Sequence, residues 1–174
     1  MIDLLRKRRS VRAYLNQMIE PEKVSILKEA LLRSPSSRDI QPWSFIFVED
    51  ENMLSHLSRV KVHGSAFLAG APMGIVILGD EAASDVWIED CSIAAVVAMF
   101  TASSLGLGSC WVQIRNRQHS PSESAEDYVR KSLKIPDNFR VESIIALGYP
   151  DEEKAGIPLD ELRFDKIKAG TFAG

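Results

Sequence analysis

The run WIEDCSIAAVVAMFTASSLGLGSCW, residues 87–111, decides how the rest of the chain is arranged. From residue 93 to residue 105 every position is apolar or small, and no charge follows Asp90 within the run. A helix over this stretch is greasy around its whole circumference and has to be buried. It is too short, and too rich in Ala, Ser and Thr, for a bilayer span, which needs about 20 predominantly apolar residues. Gly106 and Gly108 are expected to stop the helix, because glycine reaches the left-handed conformation of helix ends without a Cβ penalty. Residues 109–114 then read as a strand.

Outward from this helix, short strands alternate with further helices. GIVIL, residues 74–78, is a β-branched run bounded by Pro72 and Gly79 and reads as a buried strand. FIFV, residues 45–48, is another apolar strand. Met53, Leu54, Leu57 and Val60 between them have the spacing of a half-buried helix. Towards the N-terminus, Pro21 and the series Val24, Leu27, Ala30, Leu31 predict a helix that ends near Ser34-Pro35, since a proline pushes its predecessor out of the helical region. A short helix over residues 2–8 opens the chain. On the C-terminal side, Ser120-Pro121-Ser122-Glu123 has the capping-box order and predicts a helix reaching Leu133. Residues 141–147 form a last strand, closed by Gly148-Tyr149-Pro150. The polar tail 151–174, with scattered Ile157, Leu159, Leu162, Phe164 and Ile167, has no periodicity with which to fold on itself. Helices among four strands give an α/β or α+β class, with the strand directions open.

Composition narrows the function classes. With 174 residues, 45% of them hydrophobic, the chain suits one well-filled core, so a single domain over 1–174 is expected. Its 21 basic and 24 acidic residues leave a net charge of -3, which supplies no global attraction to nucleic acid or to an anionic membrane. Cys91 and Cys110 have no CxxC spacing and no secretory leader is read ahead of them, so reduced thiols and a cytoplasmic location are expected. His56, His63 and His119 form no ligand-spaced pair, and no metal site is expected.

Two segments could carry chemistry. Arg6-Lys7-Arg8-Arg9, followed by Ser10 and Arg12, can hold a phosphate through charge-assisted hydrogen bonds, or can simply be a solvated helix end. The loop of residues 36–43, stiffened by Pro35 and Pro42, offers hydroxyls, an amide and an indole, which suits a planar heteroaromatic ligand; Pro42-Trp43 can equally be turn and core. Gly106-Leu107-Gly108 is not a dinucleotide fingerprint, because it closes a helix and opens a strand and lacks the third glycine. Cys110 in an apolar strand pattern reads as a buried, inert thiol.

Taken together, four segments resemble the nitroreductase family of FMN-dependent oxidoreductases: RRSVR at 8–12, SPSSRDIQPW at 34–43, LGLGSCW at 105–111 and IALGYP at 145–150. The resemblance covers residues 2–168. It implies an α+β fold with a central, mostly antiparallel sheet flanked by helices, built as an intertwined homodimer with FMN at the subunit interface. The central helix then packs on its partner, and the tail 151–174 wraps the other subunit. It also implies that Arg8, Arg9 and Ser10 hold the FMN phosphate and ribityl chain, that Arg12 lies near the pyrimidine edge, and that Ser36, Ser37, Asp39 and Gln41 reach the ring from the other subunit. Gln113 belongs to the strand whose backbone follows the ring, and Arg163, with Lys166 behind it, is the second phosphate cation. Asp39 stands where many members have asparagine. As an ionised carboxylate it only accepts hydrogen bonds, so it is expected to pair with Arg38 or Arg12 instead of donating to a flavin carbonyl. In the segment 61–70, His63 and Ser65 are the candidates for a polar contact with the ring.

The activity so implied is passage of a hydride from NADH or NADPH through flavin N5 to a nitroaromatic, quinone or similar flat acceptor, by a ping-pong mechanism with no catalytic side chain. Flavin fragmentation and reductive dehalogenation belong to the same fold. A flavin carrier or sensor without turnover is the rival from another class, and a nucleic-acid contact through Arg6–Arg12 is a third.

Overall fold

In the computed structural model, which describes residues 1–172, one antiparallel sheet runs in the spatial order β1 (Trp43–Val48), β2 (Met73–Asp80), β6 (Phe139–Gly148), β3 (Gly108–Gln113). A small hairpin, β4 (Gln118–Ser120) and β5 (Glu123–Ser124), stands apart. The four strands read from the sequence are these: β2 and β6 are longer than read at both ends and β1 at its start, while β3 runs over 108–113 where 109–114 was expected. The class is α+β.

Both faces of the sheet are covered, which is why β2 is buried at seven of its eight positions and shows no alternation. On one face, Ile75, Ile77, Ile145 and Leu147 meet α2 (Pro21–Leu32), through Leu27 and Leu31, and α4 (Trp87–Ser104), through Ala94, Ala95 and Ala98. On the other face, Val76, Leu78, Val112, Ile144 and Ala146 meet α3 (Glu51–Leu57), the 3-10 turn Ala66–Gly70 and α5 (Ala125–Leu133). Each fully buried leucine contributes about 1.5–3 kcal/mol through its removal from water. A short α1 (Ile2–Lys7) buries none of its residues.

The central helix departs from its expected burial in an informative way. Its alanines face the sheet at 0% exposure, whereas the bulkier Ile93 and Val96 are 41% and 43% exposed. With half-buried Val97 and Phe100 they form an i, i+3, i+4, i+7 stripe pointing away from the sheet. Within one chain, therefore, only half of α4 is covered.

Two local expectations are corrected. Gly106 ends α4 with φ +77°, as read, but Gly108 is not left-handed. A Cβ on Gly108 would stand 2.8 Å from Cβ of Val11, so glycine is there to let the N-terminal segment lie against β3. The cap of α5 is Ser124, not Ser120: Ser124 Oγ accepts from Asp127 N at 2.9 Å, and the Ser120–Glu123 stretch folds as the hairpin instead.

Candidate functional site

After α1 the chain straightens at Arg8 and runs beside the sheet edge. Ser10 bridges Ser109 in parallel, Val11 N donates to Ser109 O at 3.0 Å, and Leu15 N donates to Tyr149 O at 2.9 Å. The start of the tail is strapped over this segment. Arg9 Nη1 donates to Ala155 O at 2.6 Å, Lys154 Nζ donates to Ser10 O at 2.9 Å and to Glu152 at 2.7 Å, and Arg12 N donates to Glu152 Oε1 at 2.5 Å. Gly156 permits the close approach, since a Cβ there would lie 1.9 Å from Arg6 O. The result is a cleft of about 240 Å³ between the basic segment, the Gly106–Gly108 turn and the strap; Lys7, Arg8, Arg9 and Lys154 supply its cations. Arg8 Nη1 is buried there without a hydrogen-bond partner among the described residues. A buried, unpaired guanidinium N–H is costly, and an anionic ligand would satisfy it.

The loop of residues 36–41 lies elsewhere. Arg38, Asp39 and Gln41 all have φ near +54°. Ser36 Oγ accepts from Gln41 N at 2.9 Å, and Asp39 Oδ1 accepts from Gln41 Nε2 at 2.9 Å. Asp39 thus holds the glutamine and not Arg38 or Arg12; Arg38 is paired with Asp85. Ser37 N donates to Asp90 Oδ1 at 2.8 Å. Trp43 is core, stacked on Phe45 with ring centroids 5.3 Å apart.

The loop is tied to the first turn of α4 at Asp90, while the cleft reaches its last turn at Ser103. At 1.5 Å per residue these points are about 20 Å apart along the helix. One chain does not bring Arg8 and Arg9 together with Ser36, Ser37 and Gln41.

The remaining candidates are placed by their contacts. The Arg12 guanidinium sits 5.8 Å above the Phe67 ring. Gln113 spends its side chain beside β3, accepting from Trp111 Nε1 at 2.9 Å and donating to Arg115 O at 3.0 Å. Ser65 is buried and donates to Ser58 O at 2.8 Å, a structural bond. Arg163 forms an exposed bidentate pair with Asp165, at 2.8 and 2.7 Å, and does not line the cleft. One cation escaped the sequence reading. Lys154 occupies the cleft where a tail cation was expected at Arg163, and its signal was the charged EEK run at 152–154, just ahead of Ala155-Gly156. Half-buried Lys61 has its pKa pushed down, first by burial and then by Arg117, but it does not line the cleft. Burial raises the Cys110 thiol, in keeping with an inert cysteine.

Comparison with known proteins places the fold in a family. The model of the nitroreductase family matches residues 5–60 and 54–149. The fold superposes on an FMN-dependent nitroreductase from Clostridium difficile R20291 with a TM-score of 0.97 and 43% identity, over 99% of this chain and 100% of that one. A provisionally named NADH dehydrogenase/NAD(P)H nitroreductase of Archaeoglobus fulgidus is 34% identical over 157 residues, 88% of this chain and 87% of the relative. An iodotyrosine deiodinase of Thermotoga neapolitana is 25% identical over 93% of this chain and 95% of its own length. The chain belongs to the nitroreductase family.

Proposed function

We propose that the protein is an FMN-dependent oxidoreductase that takes a hydride from NADH or NADPH and passes it to a nitroaromatic, quinone or similar flat acceptor. It works as a homodimer whose single domain, residues 1–174, wraps its partner with the tail 151–174; Ala173 and Gly174 of that tail lie outside the described residues. The observation that carries the reading is the unpartnered Arg8 Nη1 in a cationic cleft. Arg8, Arg9, Ser10 and Lys154 are the residues that would hold the phosphate, with Arg163 reaching it only if the tail rearranges.

FMN held there would supply hydride transfer between the nicotinamide and the acceptor. Arg12 is the cation assigned to the pyrimidine edge, where reduction adds negative charge. The loop is supplied by the second subunit: packing two copies of α4 antiparallel through the Ile93, Val96 and Phe100 face sets the loop end of one helix beside the cleft end of the other. Asp39 fixes Gln41, and the Ser36 and Ser37 hydroxyls retain donors for ring atoms. The Gln113 backbone completes the wall. The names of the Clostridium and Archaeoglobus relatives support both the cofactor and the reductant.

Initial rates measured over a grid of NADH and quinone concentrations test the reading. Parallel reciprocal plots are expected of a two-step exchange through one site, and intersecting plots would contradict it. The deiodinase relative favours reductive dehalogenation as a second reading; iodide release from an iodotyrosine, absent quinone turnover, would select it.

A further inference from the structure

Three non-glycine residues in the left-handed region within four positions, Arg38, Asp39 and Gln41, make the loop a strained one. Such backbone persists only where its surroundings over-determine it. The Ser36–Gln41 and Asp39–Gln41 hydrogen bonds are internal to the loop and travel with it. Between Ser34 and Pro42, only two hydrogen-bonded links among the described residues tie it to the body of the protein. One is the Arg38–Asp85 ion pair, whose side chains are 62% and 78% exposed, so that solvent screens it. The other is Ser37 N to Asp90 Oδ1 at 2.8 Å.

Asp90 is 2% exposed, in the first turn of a helix that carries no charge after it. A carboxylate is tolerated there because the helix N-terminus favours negative charge and because both oxygens are used: Ser84 Oγ donates to Oδ2 at 3.4 Å while Oδ1 receives the loop N–H. The same helix carries the outward Ile93 and Val96 face. An anchor on Asp90 therefore ties the loop to the helix that bears the proposed dimer face.

We propose that Asp90 is the positioning residue of the cofactor loop, holding residues 36–41 in their strained shape and in register with the subunit interface through Ser37 N–H. This rests on the FMN reading for one of its two readouts and is independent of it for the other.

The experiment compares the full-length wild-type protein with Asp90→Ala and Asp90→Asn. Asparagine keeps the Oδ1 acceptor and alanine removes it. Tryptic cleavage after Arg38 in the flavin-free protein is expected to accelerate at least about tenfold in the alanine variant, the effect of losing a charge-assisted hydrogen bond. It stays near the wild-type rate in the asparagine variant. Added FMN should bind Asp90→Ala about tenfold more weakly and with an altered visible circular dichroism of the flavin, while Asp90→Asn keeps the wild-type spectrum. Should alanine fail to fold, Asp90→Ser, too short to reach Ser37, replaces it with the same expectations. Unchanged nicking in the alanine or serine variant, or equal acceleration in the asparagine variant, overturns the proposal. Failure of the wild type itself to bind FMN would defeat the flavin reading, and the nicking rates would still decide the role of Asp90.

Discussion

Arg8 and Glu142 each have one buried polar atom without a partner among the described residues, with opposite meanings. Arg8 has a guanidinium N–H without a partner in a cationic cleft, the arrangement of a site waiting for an anion. Arg8→Ala should raise the FMN Kd about ten- to hundredfold, the cost of one or two hydrogen bonds to a charged group, with an unchanged far-ultraviolet spectrum. Fluorescence titration checks it, and equal affinity would remove the phosphate assignment. Glu142 is the extra residue of a β-bulge in β6, where Ser143 pairs with Ile77 and Val141 with Leu78; it is 3% exposed, with Oε2 unpartnered among the described residues. Burial raises its pKa above 4.5, against the lowering influence of Ser143, Arg115, Gln113 and Ser92. A carboxyl whose folded pKa is raised contributes stability that is fully present below the unfolded value and lost as the pH rises through the folded one. Glu142→Gln should therefore raise Tm at pH 8, by about 2–4 °C per kcal/mol recovered, with the gain shrinking towards pH 4.5. Thermal melts at the two pH values decide it. At this scale the sequence was legible where residues act locally, as with the Arg8–Ser10 run. It was silent on Lys154, which reaches the cleft through contacts across the fold, and on the left-handed Arg38 and Gln41, whose side chains have no such preference of their own.

At the scale of elements, α4 shows both the reach and the limit of hydrophobic patterning. Its burial was readable because nothing charged interrupts residues 93–105. Which face meets the sheet was not, because small and large apolar residues look alike to a period. The structure separates them, and substitution can too. Asp at Ala95, which is 0% exposed against the sheet, should unfold the protein, since an unpaired charge buried there has no compensating partner. Asp at Val96, 43% exposed on the outer stripe, should leave a folded monomer. Circular dichroism with light scattering distinguishes the two, and a dimeric, stable Val96→Asp would refute the interface. The strands were legible for a simple reason: β-branched runs such as residues 74–78 have few other fates in a chain of this polarity. The cap of α5 was misread because Ser120 and Ser124 each head a capping sequence, and only the β4–β5 hairpin decides between them.

For the whole molecule, the loop and the cleft stand about 20 Å apart at the two ends of one helix, and the proposed homodimer would join them. The exposed tail residues, among them Leu159 at 71% and Ile167 at 73%, are apolar surface of the kind such a partner would cover. The family resemblance made the fold legible at once, while the separation of loop and cleft within one chain follows from the placement of these parts and not from any single motif. The most direct test of the account is the visible spectrum of the purified protein after addition of FMN and desalting, followed by anaerobic NADH and then NADPH. The account predicts flavin bands that survive desalting and bleach with at least one nucleotide. A protein that emerges colourless, or that keeps bands neither nucleotide bleaches, would contradict it.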